Sequence, residues 1–101
     1  MSSRITVLEE TSASLKAQML RQLRLLGEAT SVGWERAVFE TLTGGTREDV
    51  DWDHQENYAG YALWLRTFGH LVAELIVEGA VLREERDGRV VMFARPAEQL
   101  S

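Results

Sequence analysis

The clearest pattern in the chain is an apolar stripe between Asn57 and Gly79. Apolar residues recur there at steps of three and four, which places them on one face of a helix and does not suit a strand. Gly69 interrupts this region and weakens a helix interior by about 1 kcal/mol relative to alanine. Because the stripe passes Gly69 in register, one continuous helix is predicted rather than two. The predicted inward-facing residues are Tyr58, Tyr61, Leu65, Phe68, Leu71, Val72, Leu75, Ile76 and Gly79.

Two shorter helical patterns precede this one. The first begins near Ser12, where Thr11 or Ser12 can cap the helix, and ends at Gly27. The second follows Thr30 and Ser31 and runs to about Thr43, where Gly44-Gly45 ends it. Residues 1–11 are interpreted as an N-terminal arm. The predicted inward residues are Leu15, Met19, Leu20, Leu23 and Leu26 in the first helix, and Trp34, Val38 and Leu42 in the second.

The first helix also allows a second interpretation. Its inward stripe favours a core helix with a solvated polar face, but Leu25 lies outside that stripe. If Leu25 is exposed, the N-terminal helix is a candidate contact for a homodimer. The core-helix interpretation is favoured.

A β-hairpin is predicted directly after the long helix. Two short β-prone runs enclose Asp87-Gly88, a pair that tolerates positive φ at both positions of a two-residue turn. The predicted sheet closes at Arg95-Pro96, because proline cannot donate a ladder hydrogen bond. Residues 96–101 are then interpreted as a frayed tail. The predicted register pairs Arg86 with Arg89, Glu85 with Val90, Glu84 with Val91 and Leu82 with Phe93.

Length and composition narrow the classes of function. A chain of 101 residues predicts one domain, and the absence of cysteine excludes disulfides, thiolate metal sites and thiol catalysis. No apolar run approaches the roughly 20 residues that span a bilayer, and the first residues do not form a secretory signal. A cytoplasmic protein without membrane association is therefore expected. No spacing joins a nucleophile to a base, so neither an enzyme, catalytic residues nor a cofactor is predicted.

The segment 46–56 is the most charged part of the chain. It carries five acidic residues against one arginine, in a chain whose net charge is −5. Acids before a helix stabilise its N-terminus through the helix dipole, and this interpretation is favoured. The same segment is the candidate partner-binding site of an interaction module, with Asp49, Asp51, Trp52 and Asp53 as contacts. A metal site is not predicted, since the segment offers a single histidine and no complete ligand motif.

The order of two helices, a long helix and a hairpin resembles a winged-helix domain, a helix-turn-helix variant with a β-wing. Residues 70–94, HLVAELIVEGAVLREERDGRVVMFA, resemble the junction between recognition helix and wing in bacterial winged-helix regulators. The resemblance implies a mostly helical α+β fold, a single winged helix-turn-helix domain with three helices and a C-terminal two-stranded β-hairpin. The residues that carry it are Leu71, Leu75, Glu78, Gly79, Val81, Arg83, Asp87, Gly88 and Phe93.

In that superfamily the third helix typically enters the major groove and the wing contacts phosphates or the minor groove. The resemblance therefore implies a small DNA-binding transcriptional regulator of bacterial or phage origin. Its wing contacts would be Arg83, Arg86 and Arg89, and its base-facing residues Asn57, Arg66, Thr67 and His70.

Two features of the chain qualify this expectation. The acidic segment lies before the long helix, where DNA phosphates would approach. The alternative is therefore a protein that binds a protein instead of DNA, either an acidic winged-helix interaction module or a phage-type inhibitory protein.

The second feature is the pairing of Arg86 with Arg89, which is mildly destabilising unless an anion sits between the two side chains. Neutralisation of this pair by Glu84, Glu85 and Asp87 is the other interpretation.

Overall fold

The predicted fold class is confirmed by the computed structural model, which describes residues 11–45, 48, 50 and 53–96. Within these residues the chain forms three helices followed by a two-stranded antiparallel hairpin, a winged-helix-like layout. None of the described helices is long and apolar enough to cross a membrane. Residues 1–10 of the predicted arm and 97–101 of the predicted tail lie outside the described residues. The elements are α1 (Ser12–Leu26), α2 (Ser31–Thr43), α3 (Gln55–Val77), β1 (Val81–Arg86) and β2 (Arg89–Ala94).

The helix ends follow the capping signals in the sequence. The Thr11 and Thr30 hydroxyls accept hydrogen bonds from the backbone N–H groups of Ser14 and Gly33, which caps α1 and α2. Gly44 ends α2 in the left-handed conformation. The third helix starts at Gln55 and continues through Gly69 without a break, as predicted.

The buried face of α3 differs from the predicted stripe. Asn57 and Trp64 are 3% and 0% exposed, whereas Tyr58 and Leu65 are 59% and 44% exposed. The prediction that Tyr58 and Leu65 face inward is therefore wrong. In both the predicted and the observed stripe, successive residues are alternately three and four positions apart. The observed stripe also includes the half-buried Tyr61. The observed stripe begins at the polar residue Asn57, which a search for apolar positions does not include. The buried residues of α3 are Asn57, Trp64, Phe68, Leu71 and Leu75.

The hairpin has the predicted register throughout. Arg86 pairs with Arg89 across a turn in which Asp87 and Gly88 have φ of 50° and 78°. The sequence did not indicate a further contact, in which Ala29 of the α1–α2 loop and Met92 of β2 exchange both backbone hydrogen bonds. The loop therefore lies beside β2, on the edge opposite β1.

Gly69 provides a test of the continuous helix. An added Cβ at Gly69 would meet nothing within 4 Å, and the position is exposed in the helix interior. Gly69→Ala should therefore raise the free energy of unfolding by about 0.5–1 kcal/mol. The matched control is Gly79→Ala, which should destabilise because Gly79 has φ of 81° and packs against the Arg95 side chain. Urea denaturation followed by circular dichroism measures both, and a destabilising Gly69→Ala would contradict the description of α3.

Candidate interface for DNA or a protein partner

The helix candidates for DNA contact do not all reach the surface. Asn57 is buried in the core, so it cannot face a base without a rearrangement of α3. Arg66 and His70 are exposed and Thr67 is half-buried, and the three lie on adjacent turns of one face. His70 Nε2 lies 3.1 Å from Glu74 Oε2. The groove-facing set is therefore reduced to three residues, and one of them already contacts a carboxylate.

The rest of the outward surface of α3 is largely apolar. Tyr58, Leu63, Leu65 and Val77 are 59%, 49%, 44% and 86% exposed. The remaining positions include exposed alanines at 59, 62 and 73. A base-reading helix usually presents hydrogen-bonding side chains on this surface, because the edges of bases are recognised by donors and acceptors. Apart from the Tyr58 hydroxyl, these exposed apolar side chains offer no such donors or acceptors.

The wing candidates are divided between the two faces of the hairpin. Side chains alternate along a strand, so Arg83 shares a face with Val81, while Arg86 and Arg89 share the other. Arg86 Nη1 lies 2.5 Å from Glu28 Oε2, and Arg86 Nη2 lies 2.8 Å from Glu84 Oε2. Two carboxylates thus neutralise Arg86 locally. The sequence interpretation included Glu84, but Glu28 was missed because it lies far away in the chain.

Arg86 also affects the titration of its neighbour. The hydrogen bond from Arg86 holds the pKa of Glu84 below its ordinary value, and the positive charge of Arg86 acts in the same direction. The pair therefore stabilises the fold above the ordinary carboxyl pKa, and this contribution is lost as pH falls through the lowered pKa of Glu84. In Arg86→Gln the pKa of Glu84 should return towards its ordinary value. NMR titration of the Glu84 carboxyl measures this, with Arg89→Gln as control, and an unchanged pKa in Arg86→Gln would contradict the assignment.

The acidic entrance to α3 is exposed where it is described. Glu48, Asp53 and Glu56 are all exposed, and Glu48 forms an ion pair of 3.2 Å with Arg36. The predicted partner contacts Asp49, Asp51 and Trp52 lie outside the described residues. Asp53 is the one member of that set whose position is described. Among the described residues, Trp34 and Trp64 are fully buried, and Tyr58 is an exposed tyrosine five positions after Asp53.

No family model matches the chain, and neither a curated protein nor a solved structure matches it.

A buried carboxylate links α2 to α3. Glu35 is 4% exposed and accepts hydrogen bonds from the Tyr61 hydroxyl at 3.0 Å and from Trp64 Nε1 at 2.9 Å. No sequence signal indicated this arrangement, since the partners lie 26 and 29 residues from Glu35. The two hydrogen bonds hold the Tyr61 and Trp64 side chains of α3 against Glu35 of α2. In the described part of the chain, no three histidine or acidic side chains are grouped so as to hold a metal ion.

Proposed function

We propose that this protein is an acidic winged-helix interaction module that binds a basic protein partner through the N-terminal half of α3 and the residues just before it. The observation that carries the proposal is the exposure of Tyr58 and Leu65 beside an acidic helix entrance. We call the flank of α3 formed by Tyr58, Ala62 and Leu65 the entrance surface; the exposed acids Asp53 and Glu56 precede it in the chain, and Glu56 lies on another side of the first helical turn.

Electrostatics favours a basic partner for the entrance surface. Asp53 and Glu56 are exposed at the start of α3, and the whole chain has a net charge of −5. DNA binding gains most of its affinity by neutralising phosphates, so an acidic entrance opposes the approach of DNA. A lysine- or arginine-rich protein surface is attracted by the same charges, and the attraction raises the association rate.

The apolar part of the surface supplies an anchor for such a partner. Tyr58, Ala62 and Leu65 are spaced by four and three residues, so they form one flank of α3. Tyrosine is enriched among residues that dominate binding energy, because it contributes a large ring at a small entropic cost. A partner helix that carries leucines would match this flank, and lysines near the end of that helix would be attracted by the acids at the start of α3.

A fluorescence anisotropy titration with a labelled amphipathic lysine–leucine peptide tests the proposal. The double variant Tyr58→Ser/Leu65→Ser should weaken binding at least about tenfold, which corresponds to about 1.4 kcal/mol. The matched control is Val32→Ser on α2, which is 69% exposed and lies outside the entrance surface. Equal affinity for the wild type and the double variant, or an equal loss in the control, would overturn the proposal.

DNA binding by the hairpin is the second candidate, and it corresponds to a transcriptional regulator of bacterial or phage type. Arg83 and Arg89 are exposed, and within the described residues neither forms an ion pair. Arg89 stands opposite Arg86, but Glu28 and Glu84 already hold Arg86, so Arg83 and Arg89 are the hairpin arginines left to contact a phosphate. Their exposure supports phosphate contact and gives no basis for reading sequence.

A salt titration with duplex DNA tests this second candidate. Binding by the hairpin predicts an affinity that falls as salt rises, and a shallower salt dependence for Arg89→Ala. Arg24→Ala is the matched control, because Arg24 is an exposed arginine at the end of α1. If DNA does not bind at low salt, or if Arg24→Ala has the same effect as Arg89→Ala, the hairpin is not a DNA contact.

A further inference from the structure

A row of ionisable side chains runs along the C-terminal half of α3. Arg66, His70, Glu74 and Glu78 follow one another at intervals of four residues, so they form one ridge on the helix and its C-terminal cap. Arg66 is exposed, and the side chains of His70, Glu74 and Glu78 are 75%, 41% and 50% exposed. Two basic groups are followed by two acidic groups along this row.

When this row is placed against a reversed copy of itself, each basic group meets an acidic group. If a second copy of α3 lies antiparallel across the row, Arg66 comes opposite Glu78 of that copy and His70 comes opposite Glu74. A two-fold axis repeats each contact, because in such an interface residue i contacts j and j contacts i. We propose that two copies of this chain associate through the row, in an antiparallel α3–α3 contact.

The residues around the axis allow close approach of the helices. The axis falls between His70 and Glu74, beside the exposed small residues Gly69 and Ala73. Aligned ridges of this kind pack at a crossing angle near −50°, and small side chains at the crossing bring the axes together. Val77, which is 86% exposed, lies within the covered region.

A shallow groove borders the same row. It has a volume of about 300 Å³, and in the antiparallel alignment it faces Arg66 and Thr67 of the second copy. In the proposed dimer the second copy therefore occupies this groove. The residues that line the groove are His70, Ala73, Glu74, Val77 and Glu78.

Contacts within one copy leave room for this pairing. Lys16 Nζ lies 3.2 Å from Glu74 Oε1 and 2.6 Å from Glu78 Oε1. Each carboxylate has about four acceptor positions, so Lys16 and an arginine can share one. Arg66 forms no ion pair within the described part of its own chain, so burial at an interface requires that the partner supply a carboxylate.

The row is separate from the entrance surface, which occupies the other half of α3. The dimer and the partner-binding proposals therefore succeed or fail independently. The dimer proposal also differs from a dimer through α1, where Leu25 is 73% exposed.

Sedimentation velocity of the full chain over a range of concentrations tests the contact. The wild type should form a dimer whose dissociation constant rises with salt. Arg66→Glu and Glu78→Arg should each raise that constant about tenfold or more, and the double variant Arg66→Glu/Glu78→Arg should restore it to within about threefold of the wild type.

Two control variants separate this contact from other causes. Arg83→Glu makes the same charge change at an exposed position off the row, and Leu25→Ser removes the apolar residue on α1; neither should alter the dimer. Thermal melts identify any variant that fails to fold, and Arg66→Glu replaces a side chain that is exposed in the monomer. A wild type that stays monomeric, a double variant that fails to restore the dimer, or a dimer lost in Leu25→Ser would overturn the proposal.

Discussion

Trp34→Ala should lower the free energy of unfolding by about 3–5 kcal/mol, because truncating a buried tryptophan loses its apolar burial and leaves a cavity. Trp34 is fully buried, and its ring meets Phe68 of α3 edge-on with centroids 5.2 Å apart. Its indole Nε1 donates to the Met19 carbonyl of α1 at 2.8 Å. One side chain thus joins all three helices. A domain of this size is stable by about 5–15 kcal/mol, so the loss could unfold much of the population.

Urea denaturation followed by far-ultraviolet circular dichroism measures this loss without relying on tryptophan fluorescence. Val32→Ala in the same helix is the control, because Val32 is 69% exposed and its replacement should stay within about 0.5 kcal/mol of the wild type. A loss below about 1 kcal/mol in Trp34→Ala would contradict the central position of Trp34 in the core.

Glu35→Ala should have the next largest effect, about 2–3 kcal/mol, because a buried donor left without an acceptor loses its solvation on folding. The variant removes the acceptor of both Trp64 Nε1 and the Tyr61 hydroxyl, and Trp64 is fully buried. Glu35→Gln keeps one carbonyl oxygen and a similar shape, so it should be less destabilised than Glu35→Ala. The same urea transitions compare the two variants, and a Glu35→Gln less stable than Glu35→Ala would show that unpaired donors are not the cause.

Local rules in the sequence predicted much of the fold. The caps at Thr11 and Thr30 and the turn at Asp87-Gly88 depend on neighbouring residues alone, and the structure confirms each of them. The register of the hairpin follows from its turn. The bridge between Ala29 and Met92 was not predictable in this way, because it joins segments far apart in the chain.

Local rules did not predict which face of α3 is buried. Two stripes with the same spacing compete in this helix, and packing against α2 decides between them. Trp64 faces inward, where its Nε1 donates a hydrogen bond to Glu35 and its ring packs near Phe39. The centroids of the Trp64 and Phe39 rings are 6.3 Å apart. Tyr58 is left on the surface. The entrance surface therefore depends on the packing of α3 against α2, which the sequence of α3 alone does not indicate.

The candidate site was predicted less completely than the fold. The resemblance identified the hairpin arginines and the sequence included Glu84 among the acids that neutralise them, but nothing indicated that Glu28 also holds Arg86. It also placed Asn57 towards a base, whereas the side chain is 3% exposed. Both differences come from tertiary contacts between residues that the pattern of a single helix or hairpin does not relate.

We propose that the outward face of α3 contacts protein and does not read bases. An amide NMR titration of the isotope-labelled chain with a short DNA duplex at low salt distinguishes these two roles of α3. The signals of Arg66, Thr67 and His70 should stay in place, and any shift should be confined to the hairpin, residues 81–94. A saturable shift at Arg66, Thr67 and His70 that is lost in Arg66→Ala would show that α3 contacts DNA, contrary to the proposal.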